Sequence, residues 1–161
     1  MRTEVEYVNP FVEAAVKVIQ QVTGVTFRRG RLAFRRNVAP SYDVSIVIGV
    51  FGYVSGQVVY SMGTTVAARL VGKMLQGAPA DKVKGLFNDT LGELANMITG
   101  TATSMINDRM DLALKVTTPA IITGSGISVS FVTKPTISLG LYSQSGPIEI
   151  NIALDTSTKP V

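Results

Sequence analysis

Two hydrophobic periods run along this chain, and the switches between them mark its elements. Phe11, Ala14, Ala15, Val18, Ile19 and Val22 recur at helical spacing. Asn9-Pro10 suits a cap and first turn and Gly24 suits a stop, so the first helix is expected to begin there. Val25–Arg36, Val44–Phe51 and Gln57–Ser61 are rich in β-branched and aromatic residues and predict strands. The last two are joined through Gly52-Tyr53-Val54-Ser55-Gly56 as a hairpin. Thr64 or Thr65 can cap a second helix that buries Ala67, Ala68, Val71, Met74 and Leu75 before Gly77-Ala78-Pro79. A long third helix covers Asn88 to Asp108, with a start anywhere from Asp81. Strands then follow at Leu112–Thr117, Ile121–Ile122, Ile127–Thr133, Thr136–Tyr142 and Ile148–Leu154. The last alternates, with Ile148, Ile150, Ile152 and Leu154 on one face and Glu149, Asn151 and Ala153 on the other. The segment from Thr156 is expected to fray. This order predicts an α+β fold, a mostly antiparallel sheet with long helices packed on it, as one domain over residues 1–161.

The third helix carries polar groups that folding does not ask for. At about 100° per residue, Asp89, Glu93, Asn96, Gly100, Thr103 and Asn107 share a stripe roughly 80° wide. Leu91, Leu94, Ala95, Ile98, Ala102, Met105 and Ile106 cover the opposite side as a core-facing surface. The polar stripe has no Lys or Arg. A helix selected for solubility alone would use Glu–Lys pairs and avoid Gly, which costs about 1 kcal/mol relative to Ala. Gly92 and Gly100 predict close packing against this helix, and the exposed acids and amide predict a second molecule on that face.

Composition narrows the chemistry. With 46% apolar and 16% charged residues, the chain can bury a globular core and does not resemble a disordered segment. Its first residues lack the apolar stretch of a secretory leader. The longest apolar run, Val44 to Val54, falls well short of the ~20 residues of a membrane span, so a cytoplasmic, non-membrane protein is expected. Cys and His are both absent, which removes disulfides, thiol nucleophiles, His-based triads and Cys/His zinc sites. Gly72-Lys73 lacks the remainder of a P-loop. The net charge of +4 is concentrated in Arg28, Arg29, Arg31, Arg35 and Arg36. They are read as a charged edge strand. Nucleic-acid binding is not expected, because only Phe27 and Phe34 lie nearby for stacking.

A shift of 80 positions aligns the first helix with the third, pairing Asn9 with Asp89, Glu13 with Glu93, Val18 with Ile98 and Thr23 with Thr103. An α-then-β unit is therefore read as duplicated. Val16 stands where the third helix has Asn96.

Asp89-x-x-x-Glu93-x-x-Asn96 on a helix resembles the signature of the CheC/CheX/FliY family of chemotaxis phosphatases. Gly56-Gln57-Val58-Val59-Tyr60-Ser61-Met62 leading into Ala67-Ala68 and Lys73-Met74 is similar to its CheX-like members. So is Thr118-Pro119-Ala120-Ile121 followed by Gly124-Ser125-Gly126. The likeness covers nearly the whole chain. Because Val16 replaces the amide in the first helix, the resemblance implies one site per chain. It further implies a homodimer that removes phosphate from the aspartyl phosphate of a CheY-type response regulator. No cofactor would be bound by this chain, and the receiver would supply the Mg²⁺.

On that resemblance, Asn96 orients the attacking water and Glu93 pairs with a lysine of the docked receiver. Asp89 either reinforces that pairing or merely lies near it as a helix-start charge favoured by the dipole, and Gly100 and Thr103 admit the partner's backbone. An amide suits this task because its oxygen accepts from water while its NH₂ donates elsewhere. The alternative is a domain of the same fold that binds a receiver without hydrolysing anything.

Overall fold

The computed structural model describes residues 2–35, 38–40, 42–126, 128–130 and 136–155. In chain order the elements are α1 (Arg2–Thr23), β1 (Arg28–Arg35), β2 (Val38–Pro40), β3 (Val44–Phe51), β4 (Ser55–Met62), α2 (Thr64–Met74), α3 (Ala80–Gly85), α4 (Phe87–Met110), β5 (Lys115–Val116), β6 (Ala120–Thr123), β7 (Ser128–Ser130), β8 (Thr136–Ser143) and β9 (Gly146–Asp155). Seven strands form one antiparallel sheet in the order β1-β8-β9-β4-β3, with β5 and β6 both pairing along the outer side of β3. β2 and β7 pair separately. The expected α+β class is the observed one. No helix among the described residues is long and apolar enough to cross a membrane.

Exchanging α1-β1-β3-β4 with α4-β6-β8-β9 leaves the strand order β1-β8-β9-β4-β3-β6 unchanged, and β2 exchanges with its own partner β7. The two long helices pack together over one face of the sheet. Ala15, Ile19, Leu94, Ala95 and Ile98 meet Ile46, Tyr60, Met62, Ile148 and Ile150 there. The alanines let the helix backbones approach, while each fully buried Leu or Ile contributes about 2 kcal/mol.

Several boundaries differ from the pattern-based expectation. α1 begins at Arg2, which leaves Pro10 inside the helix. Tyr7 and Val8 are buried four residues before Phe11 and Val12, extending the apolar stripe past the proline. That burial offsets the ~3 kcal/mol of a mid-helix Pro. At α2 it is Gly63 that occupies the cap position, with no side-chain bond from Thr64 or Thr65. The larger Val66 and Leu70 turn inward with Ala67 and Val71, which leaves Ala68 exposed. Residues 80–85 form a separate short helix before α4.

β1 is a sheet edge carrying exposed Arg28, Arg29 and Arg31, as expected, but Val25 to Phe27 stay outside it and Phe27 is buried. Ile148, Ile150 and Ile152 are buried as expected, yet so are Asn151 and Ala153 on the opposite face. Ala153 joins Val59 and Val47 in a small second cluster. Asn151 Oδ1 accepts from the Ser138 hydroxyl, and its amide donates to Glu149 at 2.9 Å. Arg36, most of the expected strand Ile127–Thr133 and the segment from Thr156 lie outside the described residues.

The hairpin carries a sharp steric requirement. Gly56 has φ +156°, and a Cβ there would lie 1.9 Å from the Ala153 carbonyl oxygen. Gly72, on the exposed side of α2, has nothing within 4 Å of a built Cβ. Gly56→Ala should lower unfolding stability by at least about 2 kcal/mol, whereas Gly72→Ala should raise it by up to ~1 kcal/mol. Urea unfolding midpoints check both.

Candidate functional site

The α4 polar stripe is divided by how the helix is seated. Thr99 lies on the sheet side, where its hydroxyl donates to the Ala95 carbonyl at 2.7 Å. That leaves the Tyr60 phenol to donate to Thr99 Oγ1 at 2.8 Å. Tyr60 is fully buried, and desolvation pushes its pKa well above the ordinary phenol value, against a smaller lowering by the Thr99 bond. The phenol is therefore a neutral donor that ties α4 to β4.

With the helix held in this rotation, Asp89, Glu93 and Asn96 are exposed together. They line a groove of about 410 Å³ with Asn88, Gly92, Pro119 and Ile121. Among the described residues, none of the three has a hydrogen bond or ion pair.

The opposite wall comes from the segment between β5 and β6. The Gly49 N–H donates to Thr117 Oγ1 at 2.8 Å, and the Thr117 N–H donates to the Gly49 carbonyl at 2.9 Å. These two bonds pin the segment to β3 just before Pro119. Gly92 lets that wall close on the helix: a Cβ there would stand 3.2 Å from Pro119 Cγ and 3.8 Å from Ile121 Cδ1. The mid-helix glycine signalled close packing correctly. Pro119 and Ile121 themselves gave no sequence signal as groove residues, since helical periodicity says nothing of which strand faces it.

Three members of the expected stripe behave differently. Thr103 is buried, its hydroxyl donating to the Thr99 and Gly100 carbonyls at 2.9 and 3.1 Å, so it presents no surface for docking. Burial is cheap there because the back-bond satisfies the hydroxyl. Asn107 is half-buried and works within the chain: its Oδ1 accepts the Leu114 N–H at 2.8 Å and its amide donates to the Leu114 carbonyl at 3.2 Å. With Asp111 in the left-handed region at φ 52°, these bonds turn the chain from α4 into β5. Gly100 is half-buried, and a Cβ on it would meet nothing within 4 Å. No contact among the described residues requires a glycine at that position.

The corresponding groups on α1 are engaged. Asn9 Oδ1 accepts from Arg29 at 3.1 Å, and Glu13 pairs with Arg109 of α4 at 3.1 Å. Both Glu13 and Arg109 are about half exposed, so the pair stabilises by at most ~1 kcal/mol. Val16 is half-buried in the place of the amide.

Comparison with known proteins places the fold and the family. The family model for the chemotaxis phosphatase CheX matches residues 44–141. The CheY-P phosphatase CheX of Thermotoga maritima is 23% identical over 122 residues, 76% of this chain and 78% of that protein. The crystal structure of a chemotaxis protein CheX from Desulfovibrio desulfuricans superposes with a TM-score of 0.84 at 30% identity, covering 93% of this chain and 99% of the other. CheX in the CheX–CheY–BeF3–Mg complex of Borrelia burgdorferi shares the fold, with a TM-score of 0.78 at 23% identity over 92% and 97% of the chains.

The two α4 glycines should separate under substitution. Gly100→Ala adds a Cβ in open space and should raise the unfolding free energy by the helix propensity gained, about 0.5–1 kcal/mol, and the Tm with it. Gly92→Ala must displace Pro119 by a few tenths of an ångström and should show no such gain. Thermal unfolding of the two variants reads the difference.

Proposed function

The chain belongs to the CheX family of chemotaxis phosphatases, and on that footing we propose that it hydrolyses the aspartyl phosphate of a CheY-type response regulator in the α4 groove. The observation that carries this reading is a contrast between helices. Asn9 and Glu13 on α1 are each tied to an arginine, while Asp89, Glu93 and Asn96 on α4 stand unpartnered among the described residues, beside a groove. Asn9 and Glu13 serve contacts within the fold, and these three side chains face outward.

Hydrolysis of an acyl phosphate needs little proton transfer, because the aspartate carboxylate is a good leaving group. It needs a water held in line with phosphorus. Asn96 Oδ1 accepts from that water while its amide donates elsewhere, and attack releases inorganic phosphate and the free carboxylate. Glu93 lies one turn earlier on α4 and pairs with a lysine of the receiver, setting the register in which Asn96 reaches the phosphorus. Asp89, a turn further back, reinforces that pairing. Gly100 gives the receiver backbone room to approach.

Mg²⁺ belongs to the receiver in this scheme. A homodimer in a cytoplasmic setting completes the reading. The unchanged strand order on exchanging the two halves supports a duplicated α-then-β unit, of which only the second copy keeps the acid–amide set.

Phosphate release from a phosphorylated CheY-type receiver tests the proposal. The wild-type chain should accelerate release over the receiver alone. Asn96→Ala should lower kcat on the order of 10²-fold with the receiver still bound. Glu93→Ala should act chiefly by raising KM, and Gly100→Ala should raise KM although it stabilises the free protein. Receiver binding without acceleration would replace hydrolysis with the non-catalytic reading.

A further inference from the structure

A second hollow, of about 740 Å³, opens where the end of α1, the start of β1, the outer side of α2 and the β8–β9 turn meet. Arg28, Arg69 and Lys73 line it, and no acidic side chain does. Among the described residues, none of these three cations has a hydrogen bond or ion pair. Arg29 and Arg109, by contrast, are each partnered.

The arrangement works against the free protein. Arg69 and Lys73 stand four residues apart on α2, a spacing at which like charges destabilise a helix. Arg28 brings a third cation from a different element. Neutral polar residues would serve solubility without that repulsion. What balances three converging cations is an anion.

The walls are held in place by the fold. Gly146, at φ +119°, seats the β8–β9 turn on α2, where a Cβ would come 2.8 Å from Val66 Cγ2. In that turn the Ser143 hydroxyl donates to the Gly146 carbonyl at 3.0 Å and accepts the Ser145 N–H at 3.1 Å. On the other rim the Thr23 hydroxyl donates to the Ile19 carbonyl at 2.6 Å and accepts the Val25 N–H at 3.1 Å. Tyr142 packs over Gly30 and Gly140, where a Cβ would reach within 2.5 and 2.6 Å of its side chain, and it is 56% exposed. An aromatic surface therefore lies beside the cations.

We propose that this hollow binds a phosphate-bearing small molecule, its phosphate oxygens held by Arg28, Arg69 and Lys73 and the rest of it resting against Tyr142. Guanidinium groups match phosphate oxygens two at a time, and the ammonium adds a point charge. The volume suits a ligand of nucleotide size. The site shares no lining residue with the α4 groove and does not depend on the activity proposed there.

Calorimetric titration of the full chain with ADP, and separately with pyrophosphate, tests this at low salt. Both probes should bind the wild type and the Asn96→Ala variant, with affinity falling as salt rises. The Arg69→Gln/Lys73→Gln double variant should bind about tenfold or more weakly, and Arg28→Gln should weaken binding as well. All three side chains are exposed, so circular dichroism should report an unchanged fold. Absence of wild-type binding to both probes at millimolar concentration would overturn the proposal, as would unchanged affinity in the double variant. Binding of a short single-stranded oligonucleotide with none of ADP or pyrophosphate would also overturn it, in favour of a nucleic-acid contact surface.

Discussion

One hydroxyl pair in an apolar layer decides how α4 presents itself. The Tyr60 phenol is buried, and among the described residues its acceptor is Thr99. Sliding α4 along the sheet or rolling it would leave a buried donor unpaired, at about 1–3 kcal/mol. Leu91, Leu94, Ile98 and Ile106 add an apolar face that is lost in any other rotation. Gly92 against Pro119 then fixes how near the β5–β6 segment stands. The direction in which Glu93 and Asn96 face follows from contacts neither of them makes. Both walls of the groove are therefore set by the fold's own contacts.

α1 and α4 show two uses of one helical pattern. Both bury alternate faces against the same sheet and against each other. On α1 the polar positions have become part of the fold's own surface, with Asn9 held by Arg29 and Glu13 by Arg109. On α4 the matching positions remain unpaired among the described residues. The Glu13–Arg109 pair also crosses between the helices, so α1 helps to hold α4 in place.

Much of this was legible in the chain. β3 matched at both ends because Asp43 and Gly52 bound a run dominated by Val and Ile. Asp89, Glu93 and Asn96 share a face by spacing alone, and Gly92 announced a close neighbour. What periodicity missed was set by distant contacts. Pro10 looks like a helix start until Tyr7 and Val8 find a core to enter. Thr103 falls within the polar stripe by angle, yet a satisfied hydroxyl can be buried without penalty. Asn151 and Ala153 looked solvent-facing because nothing local reveals that Ser138 and Val59 lie across the sheet from them. Pro119 reaches the groove through the Gly49–Thr117 bonds, a contact spanning 68 residues, and through the pairing of β6 with β3.

The central claim is that α4, and not its counterpart α1, carries the working site. The most direct measurement is the single-turnover rate of phosphate loss from a CheY-type receiver held at saturating concentrations of Asn96→Ala and of Asn9→Ala, side by side. The account predicts that the α4 variant falls toward the receiver's own rate while the α1 variant stays at the wild-type rate. Equal rates in the two variants, whether both lost or both retained, would contradict it.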